Sequence, residues 1–208
     1  MGICPVSGGP KSVPSAEPLP PIVALVSSGG GLDAVRRVLA PLPADFQAAV
    51  IVLQHHSPDH VSRLREVLAT RTALAVIDAT DGTALTASTV YVAPSGQHLL
   101  VTSDNTIALF VSGSYPPNRP SADLLLTSLA LTAGSRTIAV VLSGAGTDGA
   151  TGASAVHRFG GMVIAADAAS SARSEMPAAS VARDHAVDHV ADVDTIAGLL
   201  TNLVAERQ

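Results

Sequence analysis

Three short polar clusters in this chain each follow an apolar run, and between them they hold a serine, a histidine and an aspartate. Ser28 follows the run from Ile22 and opens Gly29-Gly30-Gly31. Gln54-His55-His56 follows Ala48 to Leu53, and Gly144-Ala145-Gly146-Thr147-Asp148-Gly149 follows Ile138 to Leu142. These are the parts of a nucleophilic triad: a hydroxyl needs a base to take its proton, and the base needs a carboxylate to fix its tautomer. Ser28 is the candidate nucleophile, His55 the candidate base and Asp148 the candidate orienting acid. Each also has an ordinary reading, as a helix cap, a polar residue at a helix start and a turn residue before glycine. Their coincidence at three strand ends is what favours the chemical one.

The glycines after Ser28 leave room for a substrate backbone. Backbone N–H groups at the Gly29–Gly30 turn, or in the His55–His56 segment, are candidate donors to an oxyanion. Two other patterns compete. Gly144-x-Gly146-x-x-Gly149 lies after a strand and before a helix, with Asp167 ending the next strand, which formally meets a dinucleotide-binding fingerprint. His55, His56 and His60, or His185 and His189 with Asp184 and Asp188, have the spacing of metal ligands. Pro58 interrupts the first set, and a solvated face or loop accounts for the second. No metal and no cofactor is expected.

The elements that must position these residues are legible as alternating apolar runs and helical patterns. Ile22–Ser27 reads as a strand buried on both faces, followed by a helix carrying Leu32, Val35, Val38 and Leu39 and stopped by Pro41 and Pro43. A helix starting near Pro58 and Asp59 carries Val61, Leu64, Val67 and Leu68 on one face. Leu74–Ile77 and Val90–Ala93 are further strands, and Leu99–Val101 with Ile107–Val111 form a hairpin around Ser103-Asp104-Asn105. After the Asp148 loop come a helix to about Arg158, a strand from Met162 to Ala166, and a mostly helical stretch from Val181 to Val204. Such alternation predicts an α/β fold, a doubly wound, mainly parallel sheet with helices on both faces. The expected organisation is a flexible tail over residues 1–20 and one domain over residues 21–208.

Composition removes several function classes. The chain has 208 residues, 47% hydrophobic and 2% aromatic, with 12 basic against 17 acidic side chains and a formal net charge of −5. Lys11 is its one lysine. A nucleic-acid partner, which requires a basic stripe and often aromatic stacking, is not expected. A single cysteine, Cys4, excludes an intrachain disulfide and any Cys-based metal cluster. No signal peptide and no apolar run of membrane-spanning length is visible, which points to a cytoplasmic protein without membrane insertion.

These segments resemble a known family. Val26-Ser27-Ser28-Gly29-Gly30-Gly31-Leu32-Asp33-Ala34-Val35 resembles the nucleophile segment of CheB-type protein-glutamate methylesterases, with Ser28, not Ser27, in the nucleophile's place. Leu53-Gln54-His55-His56 resembles the segment that supplies the family's histidine, and Ser143 to Gly149 the one that supplies its aspartate. Tyr91-Val92-Ala93-Pro94 with His98-Leu99, Arg119-Pro120-Ser121-Ala122-Asp123, and Met176-Pro177 match further blocks in order, which adds Arg119 to the substrate vicinity. The resemblance implies hydrolysis of γ-glutamyl methyl esters on the cytoplasmic helical region of a methyl-accepting chemoreceptor, and often deamidation of glutamines there. It recasts the glycine fingerprint as the loop carrying Asp148. The departures are Gly29 for the usual Thr, Leu32 for Pro, Ala145 for Met near the oxyanion site, and Ser174-Glu175 for Phe-Gly. They bear on substrate fit and rate, and leave a receptor-binding module of weakened activity as the alternative. About twenty residues before the domain are too few for a receiver domain, so control by phosphorylation in cis is not expected.

Overall fold

The computed structural model describes residues 19–55, 63–113 and 118–207. The chain alternates strand and helix from the start: β1 (Ile22–Ser27), α1 (Gly31–Leu39), β2 (Ala49–Gln54), α2 (Leu64–Ala69), β3 (Ala75–Asp78) and β4 (Thr89–Val92). A hairpin, β5 (His98–Val101) and β6 (Ile107–Phe110), precedes α3 (Ala122–Thr132) and β7 (Thr137–Val141). Then come α4 (Ala150–Arg158), β8 (Met162–Ala166), α5 (Glu175–Ala182), β9 (His189–Ala191) and α6 (Val193–Ala205).

Seven strands form one sheet in the order β3-β4-β2-β1-β7-β8-β9, with every pairing parallel. The central strands are buried along almost their whole length, with only Gln54 at the end of β2 partly exposed, and successive residues alternate between two cores because strand side chains point to opposite faces. Val23, Leu25, Val50, Val52, Ile138 and Val140 face α1, α2 and α6. Ile22, Ala24, Val26, Ile51, Ala139 and Val141 face α3, α4 and the hairpin. Packing rests on aliphatic side chains, as the scarcity of aromatics requires. The doubly wound parallel fold is therefore the observed one. The hairpin pairs antiparallel, as a separate two-stranded sheet laid over α3.

One segment differs from expectation. Val181–Val204 is mostly helical but not continuously so: α5 ends at Ala182 and β9 adds an edge strand before α6. Asp184 and His185 sit at φ 54° and 51°, the left-handed turn that ends the helix and turns the chain towards β8. Asp188 then fixes the new strand: its N–H donates to the Val163 carbonyl and its carboxylate accepts from the Val163 N–H. Three residues of strand are too short for a period to declare itself. The expected tail up to residue 18, and the expected helix start at Pro58 and Asp59 with Val61, fall outside the described residues.

Candidate active site

All three polar clusters leave the sheet at its carboxyl edge. β1 lies between β2 and β7, so strand order reverses around it, and open α/β sheets bind ligands at such a switch point. The ladders run slightly beyond the strands. The His55 N–H donates to the Ser27 carbonyl at 3.0 Å and the Ser28 N–H to the Ser143 carbonyl at 2.9 Å. With Ser27 level with Gln54, Ser28 emerges beside His55 on one side and Ser143–Gly144 on the other.

The two adjacent serines have opposite fates. Ser27 still belongs to the strand: it is fully buried and its Oγ has no hydrogen-bond partner among the described residues. A Cβ on Gly31 would collide with the Ser27 side chain, so a glycine there lets α1 descend directly onto it. Ser28 is past the strand and only half-buried. Its Cβ lies against Gly144, where an added Cβ would stand 2.9 Å from it and would collide with the Met176 Sδ. Gly30, at φ 78°, makes the left-handed turn into α1. The N–H groups of Gly29, Gly30 and Ala145 carry no hydrogen bond to a described residue and are free to meet an anion. The His55 N–H is not free, being committed to Ser27, which removes it from the expected oxyanion donors. His56 lies outside the described residues.

His55 Nε2 donates to Asp148 Oδ2 at 2.9 Å, with side chains only 11% and 10% exposed. Nδ1, the other ring nitrogen, has no partner among the described residues. Asp148 is held by more than the histidine. Its Oδ2 also accepts from the Ala122 N–H at 2.8 Å, and its Oδ1 from the Asp123 N–H and the Ser121 Oγ, both at 3.0 Å. The carboxylate thus sits on the amino end of α3, where orphan N–H groups and the helix dipole favour negative charge. Burial alone would raise its pKa. The hydrogen bonds from His55, Asp123 and Ala122 outweigh burial and hold it at about 2.

Asp123 returns the arrangement. Its Oδ1 accepts from the Gly149 and Gly152 N–H groups at 2.9 and 2.8 Å, at the amino end of α4. This overturns the dinucleotide reading of Gly144, Gly146 and Gly149: the N–H groups that would cradle a pyrophosphate already hold a carboxylate of the chain itself. Burial, offset in part by the Gly152 bond, pushes the Asp123 carboxyl up, and the charge of Asp148 adds to the rise. The α3 end is fixed from behind by His98, which is fully buried. His98 Nδ1 accepts from the Ser121 N–H at 3.2 Å, so Nε2 is the protonated nitrogen and donates to Ser112 Oγ at 2.8 Å. Burial, helped by the charge of Arg119, keeps the imidazole pKa low and the ring neutral.

Ser121, Asp123 and His98 enter the sequence reading only as members of matched family blocks, with no role assigned. The available signal was Ser121-Ala122-Asp123 before an apolar run, a helix-start pattern. The Arg119 guanidinium donates to the Gly113 carbonyl and its own carbonyl accepts from the Gly96 N–H, so it braces the loop entering α3; among the described residues it has no hydrogen bond or ion pair with Ser28, His55 or Asp148. Ala145 is exposed on the loop leading to Asp148. Of the alternative ligand sets, His56 and His60 lie outside the described residues, and the carboxylates of the other set are engaged elsewhere. Asp184 pairs with Arg158 and Arg183, and Asp188 with His157, and no cluster of three metal-binding side chains occurs among the described residues.

The class these features define is a parallel α/β domain that presents a serine beside a carboxylate-braced histidine at its switch point. The chain belongs to the CheB methylesterase family, whose model matches residues 23–200. It is 40% identical over 174 residues to the protein-glutamate methylesterase FrzG of Myxococcus xanthus, covering 83% of this chain and 52% of that protein. It is 38% identical over 193 residues to protein-glutamate methylesterase/protein-glutamine glutaminase 3 of Anaeromyxobacter dehalogenans, covering 92% and 56%. The crystal structure of the Thermotoga maritima CheB methylesterase catalytic domain superposes with a TM-score of 0.84 at 33% identity, over 88% of this chain and 98% of that one. The chain spans about half the length of the curated relatives it matches.

Proposed function

We propose that this chain is a protein-glutamate methylesterase whose catalytic domain spans residues 21–208, with Ser28 as nucleophile, His55 as base and Asp148 as orienting acid. The observation that carries the reading is the His55–Asp148 bond of 2.9 Å at the strand end adjoining Ser28. Ser28 Oγ attacks the γ-carbonyl of a methylated glutamate while His55 Nδ1 takes its proton, and Asp148 stabilises the imidazolium. The free N–H groups of Gly29 and Gly30, with that of Ala145, meet the oxyanion. Collapse expels methoxide, which leaves as methanol with the proton from His55. Water, deprotonated by the same nitrogen, then releases the glutamate. A glutamine enters the same acyl-enzyme with ammonia as leaving group, so deamidation needs no further residue. No cofactor enters either reaction. The substrate is the cytoplasmic helical region of a methyl-accepting chemoreceptor, and the site of action is the cytoplasm. No described helix is long and apolar enough to cross a membrane.

The test is methanol release from a methylated receptor cytoplasmic fragment. Ser28→Ala and His55→Ala should each lower kcat by about 10⁶, and Asp148→Ala by about 10⁴. Less than a tenfold loss in Ser28→Ala overturns the mechanism. Receptor binding without release by the wild type would establish the docking-module reading instead.

A further inference from the structure

Arg173 lies where a side chain at position 29 would otherwise be. A Cβ on Gly29 would stand 2.9 Å from Arg173 Cδ and 3.1 Å from its Nε. The absence of a side chain at Gly29 is therefore what lets the arginine stem cross the turn beside Ser28. The backbone of Arg173 is locked on the same loop. Its N–H donates to Ser143 Oγ at 3.0 Å, its carbonyl accepts from the Gly144 N–H at 3.0 Å, and Ser143 Oγ donates to the Gly29 carbonyl at 2.9 Å. One serine hydroxyl thus ties the nucleophile turn to the arginine. The guanidinium itself is exposed and makes no hydrogen bond or ion pair with a described residue. Asp148, the nearby carboxylate, is saturated by His55, Ser121 and the end of α3.

We propose that Gly29 and Arg173 form a carboxylate-binding subsite beside the reacting ester, which takes an unesterified acidic side chain next to the scissile one on the same peptide. The inference rests on the methylesterase reading for its substrate. A guanidinium is the side chain suited to this task, because its planar fork of donors matches a carboxylate and its charge survives any working pH. The ester undergoing hydrolysis is neutral in the ground state, so at the binding step the charge selects for a neighbour. Each hydrolysis also turns an ester into a carboxylate, which makes the segment a better ligand for the next round.

The experiment compares two helical peptides that carry one γ-methyl glutamate, flanked by glutamates in one and by glutamines in the other. The wild type should favour the glutamate-flanked peptide in kcat/KM by about two- to fivefold at low salt, the size of one exposed charge-assisted contact. Raising the ionic strength should shrink that ratio. Arg173→Met, which keeps the stem over Gly29, should bring the ratio to about one, and Arg173→Glu should invert it, in keeping with a charge effect. Arg71→Met, a control just past the end of α2, should leave it unchanged. A ratio that persists in Arg173→Met, or a loss shared equally by both peptides, overturns the subsite. Anisotropy of the fully unesterified peptide on the Ser28→Ala variant reads the same contact without turnover. If the wild type releases no methanol but Arg173-dependent binding of the acidic peptide remains, the esterase reading has failed and the subsite stands. If release is normal and that binding is absent, the subsite has failed and the esterase reading stands.

Discussion

Asp148 and Asp123 each cap the helix that the other adjoins. Asp148, just before α4, takes the first N–H groups of α3, and Asp123, in the first turn of α3, takes those of α4. The two helices are packed along their length, with Gly152 against Leu126 and the Asp123 backbone. The carboxylate that orients His55 is therefore fixed by an interlocked pair of helix ends and not by a lone loop. In the terms of the proposed mechanism, this is preorganisation: the loop carrying Asp148 is held before substrate arrives.

The lock predicts different behaviour for two variants of Asp123. Asp123→Asn keeps an oxygen that can accept from Gly149 and Gly152, and should fold with a stability within about 0.5 kcal/mol of the wild type. Asp123→Ala leaves both N–H groups open and should cost about 1–2 kcal/mol. It should also lower kcat several-fold with little change in KM, because Asp148 loses its support while the substrate contacts remain. Urea unfolding and steady-state methanol release measure the two effects separately.

Acid should dismantle the site in two stages. The folded His98 pKa is depressed by burial, so its contribution is present above the unfolded value of about 6.5 and is lost as pH falls through the lower folded value. Protonation puts a hydrogen on Nδ1, which can then no longer accept from Ser121. Asp148 is depressed from 3.8 to about 2, so its contribution is present above pH 3.8 and is lost as pH falls towards 2. That shift corresponds to about 2 kcal/mol. Asp148→Asn should therefore be less stable than the wild type by about this amount at pH 6, and the difference should shrink across that acid window. Denaturant titrations at stepped pH, wild type beside variant, check both stages.

The sheet, and the placing of Ser28, His55 and Asp148 at one edge of it, are legible because each strand is a continuous apolar run ending abruptly in polar residues, and such runs in a parallel sheet end at one edge. The choice of Ser28 rests on its place at the strand–glycine turn and, against Ser27, on the family match; the structure adds a physical reason in the register, since Ser27 is the last laddered residue, opposite Gln54. What stayed hidden depends on contacts between distant segments. Asp123 and His98 act through backbone N–H groups, which leave no trace in residue types. Arg119 belongs to the same block as Ser121, but its side chain leaves towards Gly113, and no spacing rule states that direction. The Gly144–Gly149 pattern misled because glycines that admit a phosphate to a helix end admit a carboxylate equally well.

Gly144 is a second point where geometry sets activity. A methyl group there collides with Met176 Sδ and stands 2.9 Å from the Ser28 Cβ, so something must shift. Met176 is fully buried and held by its N–H on the Gly144 carbonyl, which leaves it little room to yield. Gly144→Ala should therefore displace Ser28 and lower kcat by about 10²-fold or more, since displacements near 1 Å have that effect on aligned reactants. The Met176→Ala/Gly144→Ala pair should recover part of the lost rate. A single variant of wild-type rate would show that the Ser28 turn is not held by this contact.

Ser27 offers the complementary test, on stability. Its Oγ is buried under α1 without a partner among the described residues, and a buried unsatisfied hydroxyl costs about 1–3 kcal/mol. Removing it costs little packing, because Gly31 already presses on the Cβ that alanine keeps. Ser27→Ala should therefore stabilise the domain by about 1 kcal/mol, which for a chain of this length is roughly 2–4 °C in Tm. Its methanol release should stay within about twofold of the wild type, since the peptide groups that hold His55 and Ser28 are main-chain and unchanged. Calorimetry and the esterase assay on Ser27→Ala and Ser28→Ala together separate two residues of identical chemistry. A Ser27→Ala variant that lost activity as deeply as Ser28→Ala would mean that both hydroxyls reach the reacting carbonyl, and the register drawn here would have to be abandoned.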